Sequence, residues 1–287
     1  MRELTKQQLH LWHNADMDDL FSSHRLKIFL LIAGISSISE NVFETSVFAG
    51  LDWEQVLALH VWYLTPPTAS IADAIASYET SFLTLSERFH SIQPRPKYMK
   101  MRRYHSSLLG IEMTYDLRYH ILKLFCAGNY RLEVALNPQT HTRNCFDYGL
   151  GWLLQQAFTD LGYNNFPDHT VSLMNTHFSN QLETHGLWHW AIFILLHLKD
   201  SHERKRAIMD LLIRHVQLDN SVCDRKREDF LREHLKIPSE WINRAKAFKS
   251  YSLKRFGEAA HFFVLAVDPS EAHKIVMERL VADAVMN

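Results

Sequence analysis

The sequence predicts an all-α fold, an irregular α-solenoid of stacked antiparallel helices, and three observations carry that expectation. Apolar residues recur at helical spacing between short breaks along the whole chain, with no convincing alternating strand. The breaks hold helix punctuation: in Asp268-Pro269-Ser270-Glu271, Asp268 can cap, Pro269 suits the first turn and Glu271 completes the capping box. Only 9 glycines and 8 prolines occur in 287 residues, so turns demanding positive φ are scarce. Short links favour antiparallel neighbours, and no fixed-period repeat is visible. Residues 1–287 are expected to form a single helical domain.

The elements follow in order. Residues 3–12 read as a helix; Asp16, Asp18 and Asp19 then supply acid for the start of a longer one carrying Leu20, Phe21, Leu26, Ile28 and Ile32 and ending near Gly34. Residues 36–50 read as a loop with a short helix. Asp52, with Gln55 in the reciprocal position, caps a helix that is apolar from Val56 to Leu64 except at His60. A helix apolar all round is expected to be covered on several sides. Pro66 and Pro67 stop it, and Ser70 with Asp73 opens a partner helix to about Phe82. From there to Tyr104, through Pro94 and Pro96, the chain reads as an exposed excursion. Helices over 106–126 and 129–136 follow, then a connector over 138–143. From Cys145 onward the rhythm is tighter, with helices over 146–161, 167–183, 186–198, 202–217, 225–235, 238–250, 253–266 and 269–285.

Composition narrows the function classes. A formal net charge of −1 offers no global field to draw in nucleic acid or an anionic membrane. Cys126, Cys145 and Cys223 are widely spaced with no CxxC pair, which disfavours a disulfide framework or a thiolate metal site. The longest apolar run, Leu187 to Leu198, spans roughly 18 Å as a helix against a hydrocarbon core of about 30 Å, so it reads as a buried helix and not a membrane span.

No HExxH, GxSxG or GxxxxGK[ST] pattern is present. Two Glu-x-x-His pairs, Glu87 with His90 and Glu258 with His261, have the spacing of a di-iron carboxylate bundle, but chance alone supplies about one such pair at this composition. A helical metalloenzyme built on those four residues is therefore the alternative, and catalytic, cofactor and metal sites are otherwise expected to be none. His185 and His189 stand four apart without a third ligand, and His189 and His197 read as neutral core histidines. The segment from Arg95 to Arg103 is basic and interleaved with Tyr98; it reads as a solvated loop in preference to a phosphate contact. The seven tryptophans all fall in expected helices and read mainly as core, with one or two available to anchor a protein partner.

One set of segments is more specific. LDWEQVLALHVWYLTPPTASIADAIASYE (Leu51–Glu79) resembles the signature of the nucleoporin 96 family. The likeness continues through Arg25–Gly34, Asp147–Leu154, Gln181–Leu198, Ile237–Ala247 and KIVMERLVADAVMN at the end. The basic segment from Arg88 to Arg103 departs from the family pattern. The resemblance implies a non-enzymatic structural scaffold of the nuclear pore, in the Y-shaped subcomplex, with the ancestral coatomer element fold. That fold is a helical solenoid folding back on itself in a crown, a trunk and a tail. It also implies partners: nucleoporin 107 through the crown and, in the full-length protein, Sec13 and the hub of nucleoporins 85 and 160. This chain is expected to hold the crown and part of the trunk, without the propeller-binding segment and the tail. Two further readings are a vesicle-coat scaffold of the same fold and a peptide-binding helical adaptor, which calls for a regular repeat. The partner interface is expected on the hairpins Asp16 to Gly34 and Asp52 to Phe82.

Overall fold

A computed structural model describes residues 1–15, 17, 20–36, 46–85, 92–99, 114–128, 130–163, 166–218 and 221–281. Among the described residues the chain is helical and contains no strand. The α-helices in order are α1 (Arg2–Asn14), α2 (Ser23–Ala33), α3 (Trp53–Leu59), α4 (Ile71–Leu85), α5 (Leu117–Cys126), α6 (Leu132–Ala135), α7 (Gly149–Asp160), α8 (Asp168–Thr184), α9 (Trp188–Leu195), α10 (Ser201–His215), α11 (Val222–Asp229), α12 (Ser239–Ser252), α13 (Phe256–Leu265) and α14 (Pro269–Ile275). Three of them widen into a π turn at the end: α3 through His60–Leu64, α11 through Phe230–His234 and α14 through Val276–Leu280. Successive helices pack on one another, α1 on α2, α8 on α9, α12 on α13 and α13 on α14, in the manner of an α-solenoid.

The chain divides into two compact units. One takes Met1–Cys145 with Ala157–Asn165; the other takes Phe146–Gln156 with Phe166–Asn287. The first is built on one apolar core, to which α1 gives Leu9, α2 gives Leu26 and Leu30, α3 gives Trp53 and Val56, and α4 gives Ile75, Tyr78 and Phe82. In the second, Ile192, Ile208, Leu212, Leu231 and Ile242 form one cluster. A smaller one gathers Ala247, Ala259, Phe263 and Ile275.

Helix starts follow the sequence closely. Asp52 and Gln55 form the expected capping box. Ser70 and Asp73 form another, with the Ser70 amide donating to Asp73 Oδ2 at 2.9 Å and the Asp73 amide to Ser70 Oγ at 3.2 Å. Asp268 accepts from the Glu271 amide, with Pro269 in the first turn. Helix ends use two devices. In the first, α2 closes with a Schellman pair, Gly34 N–H to Leu31 O and Ile35 N–H to Leu30 O, both 3.1 Å. Gly34 sits at φ +73°, open to glycine at little steric cost. The same pair of bonds ends α12 at Lys254 (φ 60°) and α13 at Val267 (φ 58°), where no glycine marks the stop. The second device is a basic side chain from a distant helix capping the last carbonyls, which carry the negative end of the helix dipole. Arg2 donates to Tyr63 O (2.6 Å) and Thr65 O (3.0 Å), and Lys249 to Val216 O (2.5 Å).

Several expectations need correction. The helix expected to carry Leu20 and Phe21 starts only at Ser23, after Ser22 in extended backbone. Phe21 is drawn instead into ring contacts with Trp12 (4.9 Å) and Phe29 (6.1 Å), while Asp16, Asp18 and Asp19 lie outside the described residues. Of the helix expected over 106–126, residues 106–113 lie outside the described residues; the described part begins at Leu117, capped by Asp116, whose own amide is committed to Pro94 O at 2.7 Å. The helix expected over 129–136 shrinks to the single turn of α6, and the following connector contains a short 3-10 turn, Pro138–Thr140. Nor is the chain around Pro94 an exposed excursion. Ile92, Gln93, Pro94 and Pro96 are buried, with Tyr78 Oη donating to Ile92 O at 2.6 Å. A buried tyrosine hydroxyl needs an acceptor, and this backbone supplies it. Of the basic segment, only Arg95 to Met99 is described; the rest, to Arg103, lies outside. The twelve-residue apolar run reduces to the eight residues of α9, and Trp190 at its surface is 45% exposed. Among the described residues no helix is long and apolar enough to cross a membrane.

Candidate docking surface

Both hairpins expected to carry a partner lie in the first unit, and the structure brings them into one core. Leu26, Leu30 and Ala33 of α2 meet Trp53, Val56 and Leu57 of α3 and Ile75, Tyr78 and Phe82 of α4 in the same cluster. The backbone contact is close: a Cβ placed on Gly34 would stand 3.3 Å from Tyr63 O. Arg2 reaches across this corner to cap the π turn, tying the start of α1 to the Pro-Pro corner.

Inside the corner, His60 is the hinge between two rings. It stacks on Phe48 (5.7 Å) and meets Tyr78 edge-on (5.9 Å), while its Nδ1 pairs with Ser77 Oγ at 3.1 Å. Burial penalises its charged form and holds its pKa at about 4. His120, paired with Tyr130 Oη at 2.7 Å, is lowered to about 4 by the same cause, against an opposing pull from Asp116. Tyr119 donates to Glu79 Oε1 (2.5 Å), which also receives Lys123 Nζ (2.8 Å), whereas Trp53 Nε1, His60 Nε2 and His120 Nε2 are buried without a hydrogen-bond partner among the described residues. Burial pushes the Tyr119 hydroxyl well up, and its bond to Glu79 adds to that. Both histidines are neutral near pH 7, and the rings between them belong to the packed core.

The outer side differs from the expectation of cover on several sides. Val61, Trp62 and Tyr63 are exposed, Trp62 to 74%. The reason is geometric. Consecutive helical residues point about 100° apart, and Trp53, Val56, Leu57 and His60 already occupy the core-facing side. The widened turn at His60–Leu64 closes on Thr65, whose amide and hydroxyl both donate to His60 O (3.1 and 2.6 Å), which fixes the outward set. On α2 the residues opposite the buried stripe are also apolar: Ile28 is 56% exposed and Ile32 43%. Exposed aromatic and branched side chains of this kind, resting on a rigid core, suit a protein interface better than a reaction. Run length was the signal available in sequence: an apolar stretch around the whole helix needs either a second core or a partner, and only the fold says which.

The remaining candidate residues are dispersed. Glu258 is ion-paired to Arg255 (2.5 Å) and His261 is exposed beside Phe262; Glu87 and His90 lie outside the described residues. Among the described residues no group of three His, Cys, Asp or Glu is arranged to hold a metal ion. His185 follows the last turn of α8, whereas His189 sits on α9 with its pKa lowered by burial and by Arg227. His197 lies beyond the end of α9, bonded to Phe193 O at 3.0 Å. The Arg225-Lys226-Arg227 run lies on α11, where Arg227 pairs with Asp224 and Lys246 comes in to Glu228 at 2.7 Å.

Comparison with known proteins points to a nuclear pore component. The family model described as nuclear protein 96 (Nup96) matches residues 1–249. The chain is 34% identical over 286 residues to the nuclear pore complex protein Nup98-Nup96 of Drosophila melanogaster, covering 100% of this chain and 14% of that protein. It is 31% identical over 263 residues to the Nup98-Nup96 protein of Dictyostelium discoideum, covering 87% of this chain and 12% of the relative. To the nuclear pore complex protein NUP96 of Arabidopsis thaliana it is 24% identical over 279 residues, 94% of this chain and 25% of that one. The chain therefore spans a quarter or less of the length of these relatives. With its family model matched over most of the sequence and full-length identity above 30% to a curated relative, the chain belongs to the nuclear protein 96 family of nucleoporins.

Proposed function

We propose that this chain is a non-enzymatic scaffold segment of the nuclear pore, within the Y-shaped subcomplex, and that it binds nucleoporin 107 through the corner formed by α2, α3 and α4. Family membership supports the pore assignment, since the relatives are named nuclear pore complex proteins. The carrying observation is the exposed set Trp62, Tyr63, Ile28 and Ile32 on a core that fixes both hairpins. Apolar residues so placed gain their burial only in an assembly, and a permanent interface is the more apolar kind. Contacts with Sec13 and with the nucleoporin 85/160 hub belong to the proposal for the longer protein. A crown with part of a trunk, over residues 1–287, is the architecture we assign to this chain. The nuclear names of the relatives favour this reading over a vesicle coat.

The test is capture of purified nucleoporin 107 by the chain, with Trp62→Ala/Tyr63→Ala and Ile28→Asp/Ile32→Asp variants. Truncation of buried aromatic anchors typically weakens an interface by about 2 kcal/mol or more, roughly thirtyfold in Kd. Loss of that size in folded variants supports the assignment. Absence of binding by the unmodified chain, or binding unchanged in both variants, removes it.

A further inference from the structure

We propose that the partner seated on α2 presents an apolar helix face flanked by carboxylates, an inference that rests on the docking reading above and names the chemistry of what docks there. Three observations carry it. Leu26, Leu30 and Ala33 turn to the core, so Ile28 and Ile32, four apart, form an apolar ridge on the outward side. Arg25 stands three before Ile28 and seven before Ile32, on one flank of that ridge. Lys27 stands four before the half-buried Leu31, on the other.

The charge is one-sided: SHRLKIFLLIA contains no acid, and among the described residues neither Arg25 nor Lys27 meets a carboxylate. The positive end of the α2 dipole lies at the same end as Arg25 and adds to the field there. A neutral or basic partner would leave two cations unpaired at the rim of an apolar contact. An acidic partner pairs them and fixes the register of the ridge. The two-isoleucine ridge is short for a membrane-seated helix, which relies on a long apolar face.

The experiment measures the Kd of purified nucleoporin 107 for the whole chain at low and at physiological salt. The variants are Arg25→Glu/Lys27→Glu, Arg25→Gln/Lys27→Gln and, as a control in the other compact unit, Lys254→Glu. Circular dichroism and thermal melts confirm folding, which substitutions at exposed or half-exposed positions leave within small limits. The expected result is about a tenfold or greater weakening on charge reversal, a smaller one on neutralisation, and binding by the unmodified chain that falls with salt. Equal Kd in all variants while nucleoporin 107 still binds overturns this inference and leaves the docking reading standing. No binding by the unmodified chain overturns both. A parallel arm uses vesicles with phosphatidylserine: tight vesicle binding abolished by the α2 reversal, with nucleoporin 107 binding unchanged, overturns the acidic-protein assignment in favour of a membrane.

Discussion

Acidification probes the ring cluster at the Pro-Pro corner. His60 is 2% exposed and holds a pKa of about 4, where an unfolded chain returns it to about 6.5. The folded value lies below the unfolded one, so as pH falls the unfolded chain takes the proton first and folding loses stability. Above pH 6.5 the ring is neutral in both states and contributes nothing to the pH dependence. Between pH 6.5 and 4 the loss grows by about 1.4 kcal/mol per pH unit, reaching about 2 kcal/mol at pH 5 and on the order of 3 kcal/mol below pH 4. His120, fully buried and also at about 4, repeats the effect. Together they remove about 4 kcal/mol by pH 5, a large part of the 5–15 kcal/mol that ordinarily holds a domain.

The assay is urea unfolding at pH 7.5, 6 and 5, combined with amide exchange of the peptide covering Ile71–Leu85, which reports this core alone. His60→Phe keeps an aromatic ring between Phe48 and Tyr78 but cannot titrate. It also loses the bond to Ser77, so slopes are compared and not absolute stabilities. The variant is expected to show a slope smaller by about 1.4 kcal/mol per pH unit between pH 6 and 5. An identical slope in the variant and the unmodified chain would refute the reasoning, because the buried ring would then not be the group that takes the proton.

Three further outcomes are expected. Gly34→Ala forces a Cβ to φ +73° and to within 3.3 Å of Tyr63 O, so thermal unfolding should show a loss of about 1–2 kcal/mol. Val267→Gly removes a β-branched residue from φ 58°; relief of about 1–2 kcal/mol of strain, less the extra entropy of an unfolded glycine, leaves a gain of up to about 1 kcal/mol in the same assay. Glu228→Leu strands Lys246, whose side chain is 10% exposed at 2.7 Å from that carboxylate, and should cost about 3–5 kcal/mol in urea unfolding. Adding Lys246→Met should recover most of it, since a well-packed apolar pair replaces a buried ion pair at little loss.

How far the fold could be read in advance differs from element to element. The capping boxes at Asp52 and Ser70 and the cap at Asp268 were legible because a cap is a local bond between residues three apart; Glu271 does not complete a box at Asp268, whose amide donates to Phe263 O. Gly34 was legible as a stop for the same reason. The stops at Lys254 and Val267 were not, because nothing in those side chains favours positive φ and the surrounding packing imposes it. Phe21 illustrates the converse: its neighbours Trp12 and Phe29 outbid the helix expected to contain it, and those contacts exist only once α1 and α2 are docked. The buried Ile92–Pro96 segment read as surface because its prolines and charges mimic a loop. Its burial depends on Tyr78, fourteen residues away, needing an acceptor.

The candidate interface divides in the same way. The sequence by itself determined that the chain is helical, that helices begin at the caps Asp52, Ser70 and Asp268, and that the stretch from Val56 to Leu64 has too much apolar surface for one face. It also carried the family likeness in Leu51–Glu79. Only the tertiary structure decided which of those residues stay outside. Helical periodicity assigns each residue an angle, but the direction of the core is set by which helices pack against it, and that is a long-range choice. Once Trp53, Val56 and His60 turn inward against α4, Trp62 and Tyr63 are left facing out; once Leu26 and Leu30 turn inward, Ile28 and Ile32 are left with Arg25 and Lys27 beside them.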